Sequence, residues 1–179
     1  MANLFPISEI KVISIREVFS DELSDPAAFA AFWQEVIPGC SWYDSEKEAV
    51  VVLLLDTGNK IKAFHLVTLG ILNEALFHPR EALRAAVVAS ANRLVLMHNH
   101  PSGNPNPSES DYAVTRRLRD AAQILGIDLL DHIVVGAEGG YFSFVENGWE
   151  LPREKINWRS RSAKLRWAQK RANELVPAV

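Results

Sequence analysis

Seven consecutive apolar residues, Ala49-Val50-Val51-Val52-Leu53-Leu54-Leu55, run straight into Asp56-Thr57-Gly58-Asn59-Lys60, which is turn chemistry. The run has the length of a strand and no polar face, so it reads as a strand buried on both sides. Residues 61–69 return as a second strand, antiparallel to the first. A chain with such a hairpin needs a sheet with packing layers above and below it.

The rest of the sequence supplies those layers. Residues 10–15 read as a short strand, and residues 26–37 as a helix with Asp25 as N-cap, Pro26 at its first position and Pro38-Gly39 as its stop. Pro79 opens a second helix, running to about Ala91 with His78 near its cap. Residues 93–97 form another apolar strand. Residues 101–107, rich in Pro, Gly, Asn and Ser, are loop. A third helix starts at Ser108 or Glu109 and ends near Leu125, with Gly126 as its C′ residue. Residues 127–135 are a strand, 138–140 a turn, and 141–145 a closing strand. Hairpins among alternating strands and helices predict a mixed α/β sheet flanked by helices, not a doubly wound parallel sheet.

Composition narrows the class. The 179 residues are 48% apolar and 23% charged, with a formal charge of −3, which excludes a largely disordered chain and a polycation built for nucleic acid. Cys40, the only cysteine, excludes an intrachain disulfide and a Cys-only zinc site. It has no identified His partner and reads as inert. No apolar run approaches the roughly 20 residues of a membrane span. No signal peptide is visible, so a reducing cytoplasm is the expected location.

Charge is uneven. From Trp149 onward, eight Lys/Arg face three acids, giving +5 and leaving −8 for residues 1–148. Leu165, Ala168, Ala172 and Leu175 fall at helical spacing, so 162–176 should be an amphipathic helix with a basic outer face. Trp149, Trp158 and Trp167 read as anchors between this tail and the core. The expected organisation is an N-terminal extension over 1–41 packing on the core, a central domain over 42–149 and a basic tail over 150–179.

The chemistry is concentrated in His98-Asn99-His100-Pro101-Ser102-Gly103, followed by Ser108-Glu109-Ser110-Asp111. Side chains at i and i+2 of a strand point the same way, about 6–7 Å apart for a rise of about 3.3 Å per residue. Two imidazoles so placed can share one cation at about 2.0–2.1 Å. The loop lets the chain reverse and bring Asp111, on the first turn of the next helix, into the same space. Two nitrogens and one carboxylate oxygen leave a fourth position for water, the arrangement of a catalytic zinc site. The competing reading makes Ser108-x-x-Asp111 a helix capping box in which Asp111 faces backbone amides and binds no metal.

His98-x-His100-Pro101, six residues, then Ser108-x-x-Asp111 resembles the JAMM signature of JAB/MPN-domain metalloproteases. Leu96-Met97-His98-Asn99-His100-Pro101-Ser102-Gly103, His78-Pro79-Arg80-Glu81, Leu129-Leu130-Asp131-His132-Ile133-Val134-Val135-Gly136 and Ser143-Phe144-Val145-Glu146-Asn147-Gly148 resemble the RadC branch. The resemblance covers residues 42–149. It implies a cytidine-deaminase-like α/β sandwich with a curved mixed sheet, and zinc on His98, His100 and Asp111. It also implies an upstream glutamate acting as general base. That position falls on Glu48, with Glu46 as the fallback. Ser108 is the implied donor to the oxyanion. The implied reaction is hydrolysis of a peptide or isopeptide bond in a peptide or protein substrate, by a metal-activated water.

The family's usual N-terminal helix-hairpin-helix region is not recognisable in residues 1–41. A DNA-associated accessory role with a structural or vestigial metal is the competing function, and a zinc nuclease or other hydrolase a third. The basic tail allows weak nucleic-acid contact, docking on its own core or a homodimer. Asp131-His132 invites a serine-triad reading, but no Gly-x-Ser-x-Gly elbow is present. His132 is expected to pack or hydrogen-bond at a strand, His78 to cap a helix, and His65 to be structural or exposed.

Overall fold

The computed structural model describes residues 25–70 and 77–149. The strand read at 10–15 and the basic helix read at 162–176 lie outside the described residues. Among the described residues five strands form one sheet in the order β2-β1-β3-β4-β5: β1 Glu48–Leu55, β2 Ile61–Gly70, β3 Arg93–Asn99, β4 Asp128–Val135 and β5 Tyr141–Ser143. β1 is antiparallel to both β2 and β3, β3 and β4 are parallel, and β5 returns antiparallel on β4. The parallel pair needs a crossover, which α3 (Glu109–Ile124) supplies. The sheet is therefore mixed, as the hairpins predict.

Strand alternation divides the core into two layers. Val50, Val52 and Leu54 of β1, with Leu94 and Leu96 of β3, pack under α2 (Pro79–Val88) and α3 through Ala82, Leu83, Ala86, Val114 and Leu118. Ala49, Val51, Leu53 and Leu55, with Val95 and Met97, pack on the opposite face under Phe29, Phe32 and Trp33 of α1 (Pro26–Val36). Residues 49–55 are all fully buried. Each large side chain removed from water this way contributes roughly 1.5–3 kcal/mol before conformational entropy is charged against it. No helix among the described residues is long and apolar enough to cross a membrane.

Helix starts follow the local chemistry. Asp25 accepts from the Ala28 amide at 2.8 Å, with Pro26 at the first position. α3 opens with Ser108 as N-cap. His78 occupies the N-cap position of α2, but its side chain makes no capping bond there. The helix begins at Pro79 with Glu81 in its first turn and no side-chain cap, which corrects the capping role expected of that imidazole.

Three boundaries depart from the sequence reading. α2 ends at Val88, and Ser90 takes a φ of 50° without a glycine to announce it. β5 stops at Ser143 instead of running to residue 145. β3 continues two residues past its apolar stretch because β1 and β4 still pair with it at His98, and β4 at Asn99. β4 also contains a register shift. Leu94 pairs with Leu129 while Val95 pairs with Asp131, so Leu130 is an extra residue in the ladder.

Candidate metal centre

Strand register brings the first three groups together. His98 lies on the same face of β3 as Leu94 and Leu96, turned toward α3, and is fully buried. His100 follows two residues later at the strand's exit, where its amide donates to the Val135 carbonyl at 3.0 Å. Its Nε2 stands 3.0 Å from that of His98. Val50 of β1 is the partner of His98, so Glu48, two residues back in the antiparallel strand, is carried to the same end of the sheet. Glu48 Oε1 is 3.6 Å from His98 Nε2. Glu46 is exposed in the preceding loop, with its amide bonded to Asp44. Glu48 is therefore the carboxylate beside the histidines.

Asp111 arrives from the first turn of α3, and its carboxylate does both jobs that the sequence presented as alternatives. Oδ2 accepts from the Ser108 amide and the Ser108 hydroxyl, both at 2.7 Å, and Ser108 Oγ accepts from the Asp111 amide at 3.3 Å. The capping box is complete. Oδ1 lies 3.2 Å from His98 Nε2, and Oδ2 lies 3.5 Å from His100 Nε2. The same aspartate caps the helix and faces both imidazoles.

These four side chains fit a divalent cation. One ligand atom from each of Glu48, His98, His100 and Asp111 lies within 4.8 Å of the others. Tetrahedral ligands at about 2.0–2.1 Å stand about 3.3 Å apart, and His98 Nε2 stands 3.0 Å from His100 Nε2 and 3.2 Å from Asp111 Oδ1, close to that value. Two imidazole nitrogens and a carboxylate oxygen are donors suited to zinc.

Electrostatics follow from the same contacts. Burial opposes ionisation of Asp111, but the facing His100 and His98 rings and the Ser108 hydroxyl outweigh it and hold the carboxyl well below its usual range. The Asp111 hydrogen bond raises His100 above its ordinary value more than burial lowers it. The His100 Nδ1 faces the Asn104 carbonyl at 2.8 Å, which orients the ring.

Behind the four lies His132, fully buried on β4. Its Nε2 is 2.8 Å from His98 Nδ1 and its Nδ1 is 2.6 Å from Thr115 Oγ1. Its ring stacks on Phe144 at 4.7 Å. Burial, then the nearby His98, push it well below the ordinary imidazole range. Asp131 does not touch that imidazole. Its Oδ1 accepts from the His132 and Val145 amides, and its Oδ2 from the Ser143 hydroxyl at 2.6 Å. The serine-triad connectivity is absent. His132 thus packs and hydrogen-bonds on its strand as expected, whereas Asn99 is a group the sequence reading passed over. It is buried on the opposite face, bonded to the backbone on both sides of Glu48. An asparagine, a poor strand former, held between two strand histidines was the available signal.

The remaining candidates lie apart from this cluster. His65 is half-buried on β2 opposite Val52, and burial lowers its pKa. The half-buried Cys40 thiol points to the Val36 carbonyl, and burial raises it. Trp149 packs on Phe144 and Tyr112 and under the Arg119 guanidinium. Trp158 and Trp167 lie outside the described residues. A cleft of about 330 Å³ opens beside His100, walled by Trp33, Tyr43, Pro101, Gly103 and residues 135–139.

Comparison with known proteins gives this geometry a lineage. The chain is 50% identical over 105 residues to a UPF0758 protein of Trichlorobacter lovleyi, covering 59% of this chain and 45% of that protein. It is 48% identical over 104 residues to a UPF0758 protein of Chlorobium phaeovibrioides, with 58% and 46% covered. A UPF0758 protein of Methanosarcina barkeri is 42% identical over 106 residues, with 59% and 46% covered. The chain thus spans about half the length of the relatives it matches. The family model described as RadC-like JAB domain matches residues 23–149, which takes in α1, the whole sheet and all four clustered side chains. A mixed five-stranded sheet between helices is the α/β arrangement of the JAB/MPN fold, and the chain belongs to the RadC-like JAB domain family.

Proposed function

We propose that the chain is a zinc-dependent hydrolase of metallopeptidase type that opens a peptide or isopeptide bond with water. The observation that carries this reading is the convergence of Glu48, His98, His100 and Asp111 within 4.8 Å at one end of the sheet, beside an open cleft. His98, His100 and Asp111 would hold the ion and Glu48 would stand beside it. When bound, zinc supplies Lewis acidity and lowers the pKa of a water from about 15.7 toward about 7.

The chain's own residues then do the following. Glu48, 15% exposed at its side chain, reaches solvent while facing His98. Its carboxylate takes a proton from the attacking water and returns it to the leaving nitrogen as the C–N bond breaks. The Ser108 hydroxyl lies next to Asp111 and currently spends its proton on Oδ2. To donate to the carbonyl oxygen as negative charge develops there, it must turn away from Asp111, leaving the backbone amide of Ser108 to hold that carboxylate. The substrate is a peptide or protein entering beside His100.

Metal analysis of protein purified without added metal, in parallel with His98→Ala, tests the first half. Zinc near one equivalent in the wild type and loss in the variant is expected. Cleavage of a peptide library, repeated with Glu48→Gln, tests the second. That variant should keep its metal and lose turnover, a general base being worth about 10²–10⁴-fold. Turnover equal to wild type removes Glu48 from the mechanism.

The second reading, a DNA-associated accessory protein, is favoured by the +5 charge from Trp149 onward. Titration on duplex DNA at two salt concentrations, with and without the last 30 or so residues, separates the two. Unchanged weak binding removes the tail from consideration.

A further inference from the structure

An unbroken hydrogen-bonded chain runs behind His98 and ends on the backbone of the other ligand-bearing element. His98 Nδ1 meets His132 Nε2 at 2.8 Å, His132 Nδ1 meets Thr115 Oγ1 at 2.6 Å, and Thr115 Oγ1 reaches the Asp111 carbonyl at 2.5 Å. Its direction is fixed from one end. A backbone carbonyl can only accept, so the Thr115 proton goes to Asp111. The Thr115 oxygen must then accept from His132 Nδ1–H. A neutral imidazole carrying its proton at Nδ1 has a bare Nε2, which must accept from His98 Nδ1–H.

We propose that His132 and Thr115 are positioning residues for His98, setting its ring with the proton at Nδ1 and the Nε2 lone pair turned toward His100 and Asp111. The proposal rests on the metal-centre reading for its functional consequence, since only that lone pair can receive a cation. Its setting supports it. His132, Thr115 and His98 are all fully buried, so no water competes for these bonds, and Phe144 stacked on His132 holds the ring plane. Metal-binding histidines ordinarily give their second N–H to a carboxylate or carbonyl. Here a second imidazole takes it, and the chain returns to Asp111 itself. The strand-borne and helix-borne ligands are thereby tied together by side chains that touch no substrate.

Proton–nitrogen correlation NMR of the imidazole rings in the full chain reads the tautomers. His132 is expected to be protonated at Nδ1 and bare at Nε2; a proton on Nε2 overturns the proposal. Thr115→Val removes the hydroxyl with little change in size, and Thr115→Ser restores it. Co2+ affinity should fall about 10–100-fold in the valine variant and recover in the serine variant. Equal affinity in wild type and Thr115→Val overturns the proposal. Should the wild type bind no Co2+ at all, the metal-centre reading fails, while the His132 tautomer still decides this one.

Discussion

Asn99 grips the peptide units on both sides of Glu48. Its Oδ1 accepts from the Ala49 amide at 2.8 Å, and its Nδ2 donates to the Lys47 carbonyl at 3.1 Å. The residue between the two histidines therefore fixes the backbone of the carboxylate that faces them. Asn99→Ala leaves a buried amide and a part-buried carbonyl without these partners, at a cost of about 1–3 kcal/mol. Denaturant unfolding should show that loss. Metal content should stay near that of wild type while peptide turnover falls, because Glu48 is released and the imidazoles are not.

Substitutions at Asp111 and at Ser108 allow the cap and the cation site to be separated. In Asp111→Asn an amide oxygen can still accept from Ser108 N, so α3 should stay folded with little change in melting temperature, while cation binding falls sharply. Ser108→Ala does the reverse. It removes the cap hydroxyl, costing about 0.5–2 kcal/mol of stability, and keeps the cation. Its turnover should drop by as much as about 10²–10³-fold if its hydroxyl serves the oxyanion. Melting curves with and without zinc, alongside turnover, check these outcomes.

Cation affinity should depend on pH through His100. A proton on a ring nitrogen excludes the metal from it. The Asp111 hydrogen bond raises the metal-free His100 pKa above 6.5, so the proton competes at higher pH than on a free imidazole. Asp111 is held low and stays ionised throughout this window. Affinity should thus be greatest above the raised His100 value and fall as pH drops through it. Chelator competition between about pH 8.5 and pH 6 measures this; a flat profile would contradict the assignment of His100 as a ligand.

Gly136 is held by space, not by backbone angle. A Cβ there would sit 2.5 Å from the Gly103 carbonyl oxygen and 2.9 Å from Pro105 Cδ. Those atoms belong to the loop that follows His100, whose own turn is closed by Gly103 N on the His100 carbonyl. Gly136→Ala must push that loop outward, at about 1–3 kcal/mol. Calorimetry should show the destabilisation, and zinc titration a weaker site.

Local signals made much of this architecture readable in advance. The valine- and leucine-rich run at 49–55, the turn after it, Asp25-Pro26 and Ser108-x-x-Asp111 each encode their element with neighbouring residues. The histidine pair and Asp111 were readable because strand parity and a cap fix their directions. What stayed hidden depends on partners distant in sequence. β3 extends through His98 and Asn99 because other strands bond to it, which no apolar count reveals. Asn99 acts on residues about 50 positions earlier. The face of His132 depends on the Leu130 register shift. Simple alternation from Leu129 would have sent Asp131, not His132, toward α3.

That spare residue in β4 makes the strand tolerant of shortening at one point. Leu129 and His132 already address the α3 side, while Leu130 packs with the opposite cluster. Excising Leu130 would leave an ordinary alternating strand with His132 still behind His98. Losing Ile133 or Val134 instead would put either His132 or the side chains after the gap on the wrong side of the sheet. Relatives that differ in length here can keep the same buried imidazole, and alignments that place their gap elsewhere in this strand will misassign it.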